Sequence, residues 1–462
     1  MALSAPRYEA WLPESGVDEL SNSLSDPGEY RRARSEAYRQ FLTLPLEPDP
    51  LYRKYGYFGG VDLGGLDPQA RGPAVVRPSS PSLLVVHDAS GTHVTLPKIL
   101  ADAGVTGETL PEIWASTPSG LPPFAAMSDV PTDRLTALAT ALLNRGVRIT
   151  IPERCSVPVH VQDVSVLSRP HEALSVRRTI EVGEGSTLVM TEETYSTAAD
   201  FDHQRLHASQ TSLDVRADAR AIFVSLHSPD RQAVSLYHRS ATLGAHSRLD
   251  WLWAGFGGFR TRARNHSTLL GNGSELEDLQ AFYGSGDQAY DSSVNMTHVG
   301  TDTRGHSVTR GLFRDSARGM SRGLVRIEKD ARRTVSYLSE HAMLLSKGAR
   351  SDTIPILEIL CRDVKATHST SVAPVDPEKV FYLESRGFQE SDAVRMIGEG
   401  FLSHVLERAP LVNLREILYP YLAARWEGRP ISWQPGSLPP LPPLTPSGSE
   451  GSPDWRFDSK LR

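Results

Sequence analysis

The sequence predicts a mainly β protein in which a parallel β-solenoid core lies between helical segments. Short, alternating, β-branched runs punctuated by Gly, Asp and Asn occupy residues 157–368. Turn-like clusters recur there about every 27 residues, within the period of a solenoid whose rungs share one apolar interior. Helical spacing of apolar residues is found before and after this stretch. These three observations favour a solenoid over a β-sandwich.

The recurring clusters EGSTL, DARAI, AHSRL and NGSEL each combine turn residues with a following aliphatic residue, and KDARRTV and KGARSDT look similar. Gly-rich turns in another kind of all-β domain would give similar weak repeats, so periodicity alone leaves the solenoid open. The aliphatic residues that end the first four clusters are Leu188, Ile222, Leu249 and Leu276.

The first 150 residues are predicted to form a mainly helical domain. One helix is indicated by GEYRRARSEAYRQFLTL, and the prolines of LPLEPDP end it because proline lacks the amide hydrogen. A second helix is predicted to start at Thr132 or Asp133 and to close at Gly146. The residues that recur at helical spacing are Tyr30, Arg34, Tyr38 and Phe41 in the first helix and Leu135, Leu138 and Leu142 in the second.

Near the other end, Leu357–Gly400 joins a half-buried strand to two helices. Pro377 is predicted to open the first helix and Gly387 to end it in a left-handed conformation. Ser391 is predicted to cap the second helix, whose apolar face would be Val394, Ile397 and Phe401. The predicted domains are therefore a helical domain at 1–150, a solenoid at 151–370, a helical domain at 371–428 and a Pro-rich tail at 429–462.

The tail, which includes PGSLPPLPPLTPSGSEGSPDW, is expected to be disordered because it cannot bury enough apolar surface to offset its ordering entropy. A PxxP ligand is the alternative interpretation.

Composition argues for a protein that meets other proteins or small ions. With 49 basic and 55 acidic residues, nothing favours binding to nucleic acid or an anionic membrane. No apolar run reaches the roughly 20 residues of a membrane span, and the N-terminus lacks a signal-peptide pattern, so a cytoplasmic protein is expected. Cys155 and Cys361 are too few for a disulfide framework or a cysteine-only cluster. No phosphate-binding GxxxxGK[ST] motif occurs, so no ATPase activity is expected.

Three consecutive motifs carry a family resemblance: VK-x-x-H ending at His368, FYL-x-SRG starting at Phe381, and AVRMIGEGF starting at Ala393. They resemble the SufB/SufD family of iron-sulfur cluster assembly proteins, most closely SufD. Upstream segments GLVRI, MLLS and TIPILE extend the resemblance, as does LTALATALLNRGVRITIPERCSVPVHV, and together they cover about residues 28–428. The resemblance implies a right-handed β-helix between two helical domains and a scaffold subunit of a SufBCD complex rather than an enzyme.

The resemblance points to His368 as a residue of the nascent cluster site, and a neutral imidazole is a competent iron ligand. The alternative is a strand-end histidine that is simply hydrogen-bonded. Glu340 stands where SufB-like chains carry their sulfur-accepting cysteine, and Ser369 replaces the acidic residue after the histidine. Ala366 stands where SufD-like chains often carry a cysteine. The chain therefore resembles SufD rather than the sulfur-accepting subunit.

The resemblance also implies partners. A SufC-type ABC ATPase would dock on the C-terminal helices, and an apolar edge strand at the end of the β-helix would pair with a SufB-like chain or a second copy. A transient Fe-S cluster would form at the shared interface, with none held permanently by this chain. A SufB-like or homodimeric scaffold that itself holds a cluster is the alternative. The proposed docking residues, for which internal packing is the competing explanation, are Phe381, Tyr382, Arg386, Met396 and Phe401.

Other candidate groups are weaker. Cys361 and His368 are seven residues apart, which would place them on opposite faces of an unbroken strand, so both cysteines are interpreted as buried thiols. A β-helix carbohydrate-active enzyme using Asp287 and Asp291 is a third hypothesis, disfavoured by the terminal helices. The remaining possible metal-binding groups are His203 with His207, and His298 with His306 near Asp302.

Overall fold

The structure is a computed structural model that describes residues 14–47, 58–75, 81–116, 133–197, 202–409, 411 and 414–429. Apart from Arg429, the predicted Pro-rich tail lies outside these residues.

The N-terminal part combines helices with four strands. Asp133 caps the last of these helices by accepting a hydrogen bond from the Thr136 amide. Its elements are α1 (Glu14–Leu24), α2 (Gly28–Thr43), β1 (Leu83–Asp88), β2 (Gly91–Thr95), α3 (Lys98–Asp102), β3 (Thr106–Thr109), α4 (Leu110–Ser116), α5 (Arg134–Ala141) and β4 (Arg145–Ile151).

Fifteen further strands follow without an intervening helix. They are β5 (Val159–Leu167), β6 (Ala173–Val182), β7 (Thr187–Ser196), β8 (Arg205–Val215), β9 (Arg220–Ser228), β10 (Ala233–Leu243), β11 (Arg248–Gly255), β12 (Arg260–Leu269), β13 (Glu275–Gly284), β14 (Ala289–His298), β15 (Arg304–Phe313), β16 (Arg318–Ile327), β17 (Thr334–Leu344), β18 (Arg350–Ile359) and β19 (Val364–Pro374).

Successive strands alternate between two sheets, so that each strand pairs in parallel with the strand two places along the chain. The first sheet has the order β19-β17-β15-β13-β11-β9-β7-β5-β1-β2 and the second β18-β16-β14-β12-β10-β8-β6-β4-β3. This topology is a parallel β-solenoid of about eight turns, which confirms the predicted fold class.

The predicted turn clusters form one corner of the solenoid. In each turn a residue adopts a left-handed conformation, and its amide donates to a carbonyl of the next turn, as Asp218 does to Ala245 and Gly273 to Thr301. One register detail was wrong: the residue aligned with Leu188 and Leu249 is Ala221, because Ile222 points to the other face. The stacked left-handed residues are Gly185, Asp218, His246, Gly273, Asp302 and Arg333.

The interior contains an apolar layer on each side of a polar lane. One layer is aliphatic and includes Leu249 and Leu276, and the other is aromatic and includes Phe282 and Tyr290. Between them the first sheet contributes a register-aligned column of mostly polar residues, which we call the polar lane: Asp163, Glu192, Ser225, Trp253, Gln280, Thr309, Glu340 and Thr370.

The C-terminal helices are α6 (Pro377–Ser385), α7 (Glu390–Leu406) and α8 (Leu414–Trp426). Gly387 has φ 94°, which confirms its predicted left-handed conformation. The predicted cap was wrong, because Ser391 lies inside the first turn of α7 and Gln389 is the N-cap. The predicted face was displaced by one residue: the buried side of α7 is Ala393, Gly398, Leu402, Val405 and Leu406, which packs on the outer face of the first sheet.

Two N-terminal predictions need correction. Gly146 does not close a helix but lies in β4, where an added Cβ would be 2.8 Å from the Leu110 side chain, so the close packing requires glycine. The segment predicted to be mainly helical also contributes β1 to β4, and residue 150 itself lies within β4. Alternating patterns of only four to seven residues did not distinguish these strands from loops. The helical prediction for Tyr30, Arg34, Tyr38 and Phe41 is confirmed, since all four are buried in α2.

Candidate functional site

The two ends of the solenoid are built differently. At the N-terminal end, antiparallel β2 and β3 finish the sheets, and Leu100 and Val105 cover the interior. At the other end, the sheets finish with β18 and β19, whose residues are mostly exposed or half-buried. Within the part of the chain that the structure describes, no strand pairs with their free edges. We call this surface the open end.

His368 lies on the open end, on the inner side of β19. Its register partner in β17 is the fully buried Leu338. Val364 and Ala366, which have the same parity as His368, pack against the aliphatic interior. Because no further turn covers β19, the imidazole position is exposed although it faces inward. His368 is therefore the last residue of an interior column. Among the described turns, this is the one at which the column is left uncovered and open to a partner.

Glu340 is the nearest acidic residue of the polar lane to this position. It pairs with Thr370, two residues beyond His368, so Glu340 and His368 are diagonal neighbours on one face. Glu340 is 1% exposed, and its Oε2 has no hydrogen-bond partner among the described residues. Burial raises the pKa of Glu340 to about 8, against a smaller opposing effect of Arg322. From the sequence, Glu340 was recognised only as the residue that stands in place of the cysteine of SufB-like chains.

The outer side of the same strands carries a hydrogen-bonded chain. Tyr337 Oη and Ser369 Oγ are 2.8 Å apart, Ser369 Oγ is 3.3 Å from His341 Nε2, and His341 Nδ1 is 2.5 Å from Ser371 Oγ. Burial, helped by Arg310, lowers the pKa of His341 to about 4. Ser369, predicted to matter as the replacement of an acidic residue, therefore holds β19 on β17 and faces away from His368.

Neither cysteine shares a strand with His368. The expected single strand is broken between β18 and β19, so Cys361 is in the connecting turn and the parity argument that related it to His368 was wrong. Cys361 is buried in the aliphatic interior, as predicted, and Cys155 is half-buried beside the same cluster.

Farther inside, the polar lane is held by buried ion pairs. Arg178 lies 2.5 Å from Asp163 and 3.2 Å from Glu192, and Arg239 lies 2.6 Å from Glu192. Burial alone would raise the pKa of Glu192, but Arg239 and Arg178 outweigh it and hold that pKa well below its ordinary value. These groups were not predicted, because an Arg or Glu in an alternating strand is normally assigned to the solvent face.

The five predicted docking residues divide into two groups. None of α6 is buried, and Phe381 and Tyr382 are 71% and 56% exposed. Met396 on α7 is 43% exposed, and the Arg386 guanidinium lies over the Tyr382 ring, 5.1 Å from its centroid. Phe401 is half-buried against the outer core and lies under Arg310.

The other candidate groups are not brought together. His207 is buried in β8 while His203 precedes that strand and stacks on His171, and His298 and His306 belong to different sheets. Asp302 pairs with Arg333 at the surface. Asp291 is buried between Arg264 and Arg322, each 2.9 Å away, so it is unavailable as half of a catalytic carboxylate pair. Within the described residues no group of three or more His, Cys, Asp or Glu side chains could hold a metal ion.

None of the described helices combines the length and the apolar character needed to cross a membrane.

The fold and the open end define a helix-flanked parallel β-solenoid whose last turn is uncovered in the described residues. Residues 166–401 match the family model described as SUF system FeS cluster assembly, SufBD core domain. The chain therefore belongs to the SufBD family of iron-sulfur cluster assembly proteins. It is 28% identical over 341 residues to the iron-sulfur cluster assembly protein SufD of Bacillus subtilis, covering 73% of this chain and 77% of that protein.

Two further relatives carry the family name alone. A SufBD family protein of Staphylococcus aureus is 23% identical over 413 residues, covering 87% of this chain and 83% of the relative. One from Staphylococcus epidermidis is 23% identical over 288 residues, covering 62% of each chain.

Proposed function

We propose that this chain is the SufD-like subunit of a SufBCD-type scaffold, in which it pairs with a SufB-like chain and receives a SufC-type ATPase. The observation that carries the proposal is the open end, where His368 faces the interior side of an uncovered final turn. The 28% identity to a protein named SufD supports this choice within the family.

Pairing at the open end follows from the state of its strands. An uncovered edge strand offers unpaired backbone groups that another strand can satisfy, and exposed edges are otherwise covered or blunted. Exposed apolar residues at this end, Ile359, Leu360 and Val372, would gain burial from such a contact. A SufB-like solenoid with a similar end fits this surface.

Iron enters this proposal as cargo rather than as a resident cofactor. His368 can supply one nitrogen ligand to an assembling Fe-S cluster. The partner chain would supply the sulfur ligands, because Cys361 in the final turn is buried in the aliphatic interior. The subunit would therefore have no enzymatic activity of its own and would leave ATP hydrolysis to the SufC-type partner.

Docking of the ATPase is assigned to α6 and the start of α7. Phe381 and Tyr382 are large aromatic side chains with most of their surface exposed, and aromatic residues are enriched among those that dominate binding energy. Asp376 caps α6 by accepting from the Glu378 amide, and this fixes the helix that presents both rings.

The test is co-expression of the full chain with SufB-like and SufC-like proteins from its own source, followed by the mass of the purified complex. We expect a complex containing all three chains. A stable homodimer that binds iron and ignores the SufB-like chain would instead support the alternative scaffold role. A monomer that associates with neither protein would contradict both.

A further inference from the structure

The buried carboxyl group of Glu340 has no structural purpose that its surroundings explain. A buried polar atom without a partner costs free energy, so its presence in a folded protein calls for an explanation. Oε2 of Glu340 is such an atom among the described residues. The neighbouring Arg322 does not donate a hydrogen bond to this oxygen. Its guanidinium binds Glu47 at 2.7 Å and Asp291 at 2.9 Å.

The register of the last turns places this carboxyl group next to His368. Leu338 pairs with His368 and Glu340 with Thr370, so the two residues differ by two positions on adjacent parallel strands. Diagonal neighbours of this kind have Cα atoms about 7 to 8 Å apart, within reach of two long side chains. Both lie on the inner face, because Leu338 of β17 and Val364 and Ala366 of β19, which have the same parity, belong to or pack against the aliphatic interior.

We propose that Glu340 is a second iron ligand of this chain, acting with His368 on ferrous iron delivered to the open end. The inference rests on the proposed function, which supplies the iron. An imidazole and a carboxylate are ligands that iron accepts, and two ligands from one chain leave coordination positions for the partner. Glu340 sits one turn deeper than His368, so together they would hold the ion at the mouth of the interior.

The experiment is anaerobic titration of the full chain with Fe(II), with Co(II) as a spectroscopic probe of the ligand set. Glu340→Gln keeps the size of the side chain and removes the anionic ligand, and His368→Ala removes the imidazole. The matched control is Glu358→Gln, which changes an exposed glutamate on the outer side of β18. Circular dichroism and melting temperature establish that each variant is folded, and Glu340→Asp is included in case the Gln variant does not fold.

We expect both Glu340→Gln and His368→Ala to weaken Fe(II) binding by about tenfold or more and to alter the Co(II) spectrum. The control should bind like the parent chain, and Glu340→Asp should bind more weakly than the parent because its carboxylate is one methylene shorter. If His368→Ala weakens binding and Glu340→Gln does not, this inference is wrong and the proposed function stands. No Fe(II) binding by the parent chain would also overturn the inference. Normal binding by His368→Ala would count against the proposed cluster site itself.

Discussion

At the scale of single residues, the most consequential feature is charge inside the solenoid. Arg178 has no exposed surface and reaches Asp163, Glu192, Ser165 and Ser209. Removing one partner of a buried ion pair leaves an uncompensated charge, which is much worse than losing a surface pair.

We therefore expect Arg178→Met to lower the free energy of unfolding by about 3–5 kcal/mol. Arg216→Met is the matched control, because Arg216 pairs with Glu181 at the surface and should matter by less than about 1 kcal/mol. Urea unfolding followed by tryptophan fluorescence measures both. Equal losses in the two variants would show that the polar lane is not desolvated as described.

Asp278 gives the solenoid a predicted pH dependence. Burial raises its pKa to about 6, although it accepts hydrogen bonds from Asn265 and Gln280. Between its ordinary pKa near 3.8 and 6, the folded chain keeps a proton that the unfolded chain has released. Its contribution to stability is therefore lost as the pH rises through this window.

Accordingly, the stability of the parent chain relative to Asp278→Asn should fall by on the order of 1 kcal/mol per pH unit between pH 4 and 6, and then level off. Melting temperatures of the two proteins across pH 4 to 7.5 provide the measurement. Curves that stay parallel over that range would contradict the raised pKa.

The orientation and neighbours of single residues were also the features that the sequence predicted least well. His368 was found through its motif, but its inner orientation depends on the register of β17 and β19, and Glu340 became a candidate only through that register. Side-chain parity in a strand can be predicted, whereas the pairing of two strands separated by a turn of uncertain length cannot. The break at Cys361 shows the same limit.

At the scale of elements, the stacked corner turns explain the weak repeats. Gly273 has φ 68°, and an added Cβ would lie 2.6 Å from His246 Nδ1 in the turn below. Turn composition could be predicted from the sequence because left-handed positions favour Gly, Asp and Asn. The one-residue error at Ile222 arose because two consecutive apolar residues fitted the repeat equally well.

Replacing Gly273 by Ala should destabilise the chain by about 1–2 kcal/mol through strain at a left-handed position. Gly400→Ala is the contrasting control, because Gly400 lies within α7 with no atom within 4 Å of an added Cβ, and should stabilise the helix by about 0.5–1 kcal/mol. Scanning fluorimetry compares the melting temperatures. A Gly273→Ala protein as stable as the parent would rule out strain at this corner.

The α6 helix carries the prediction for the ATPase partner. The double change Phe381→Ala with Tyr382→Ala should weaken SufC binding by on the order of 2 kcal/mol, about thirtyfold in Kd, with no loss of stability because neither ring is buried. The control is Ile99→Ala with Leu270→Ala, which removes comparably exposed apolar side chains elsewhere. Calorimetric titration with the SufC-like protein measures the affinities. Equal Kd values for the two double variants would place the docking site elsewhere.

At the scale of the whole molecule, the two ends of the solenoid are built differently. The N-terminal end is finished by antiparallel strands and the α3 segment, whereas the open end leaves β18 and β19 uncovered. The fold class could be predicted because a repeat of about 27 residues and helical ends are visible in the sequence, and because the terminal motifs resemble a family with a β-helix core. The asymmetry could not, since a final turn has the same alternating pattern as an internal one.

The most direct test of cluster assembly at the open end is the iron and sulfide content of the purified three-chain complex carrying His368→Ala. His203→Ala, which changes an exposed histidine outside the solenoid strands, is the matched control. We predict that both complexes have the mass of the parent complex, that the control keeps its iron and sulfide, and that His368→Ala loses most of both. A His368→Ala complex with the full iron and sulfide content of the parent would contradict the claim that the open end is where the cluster is assembled.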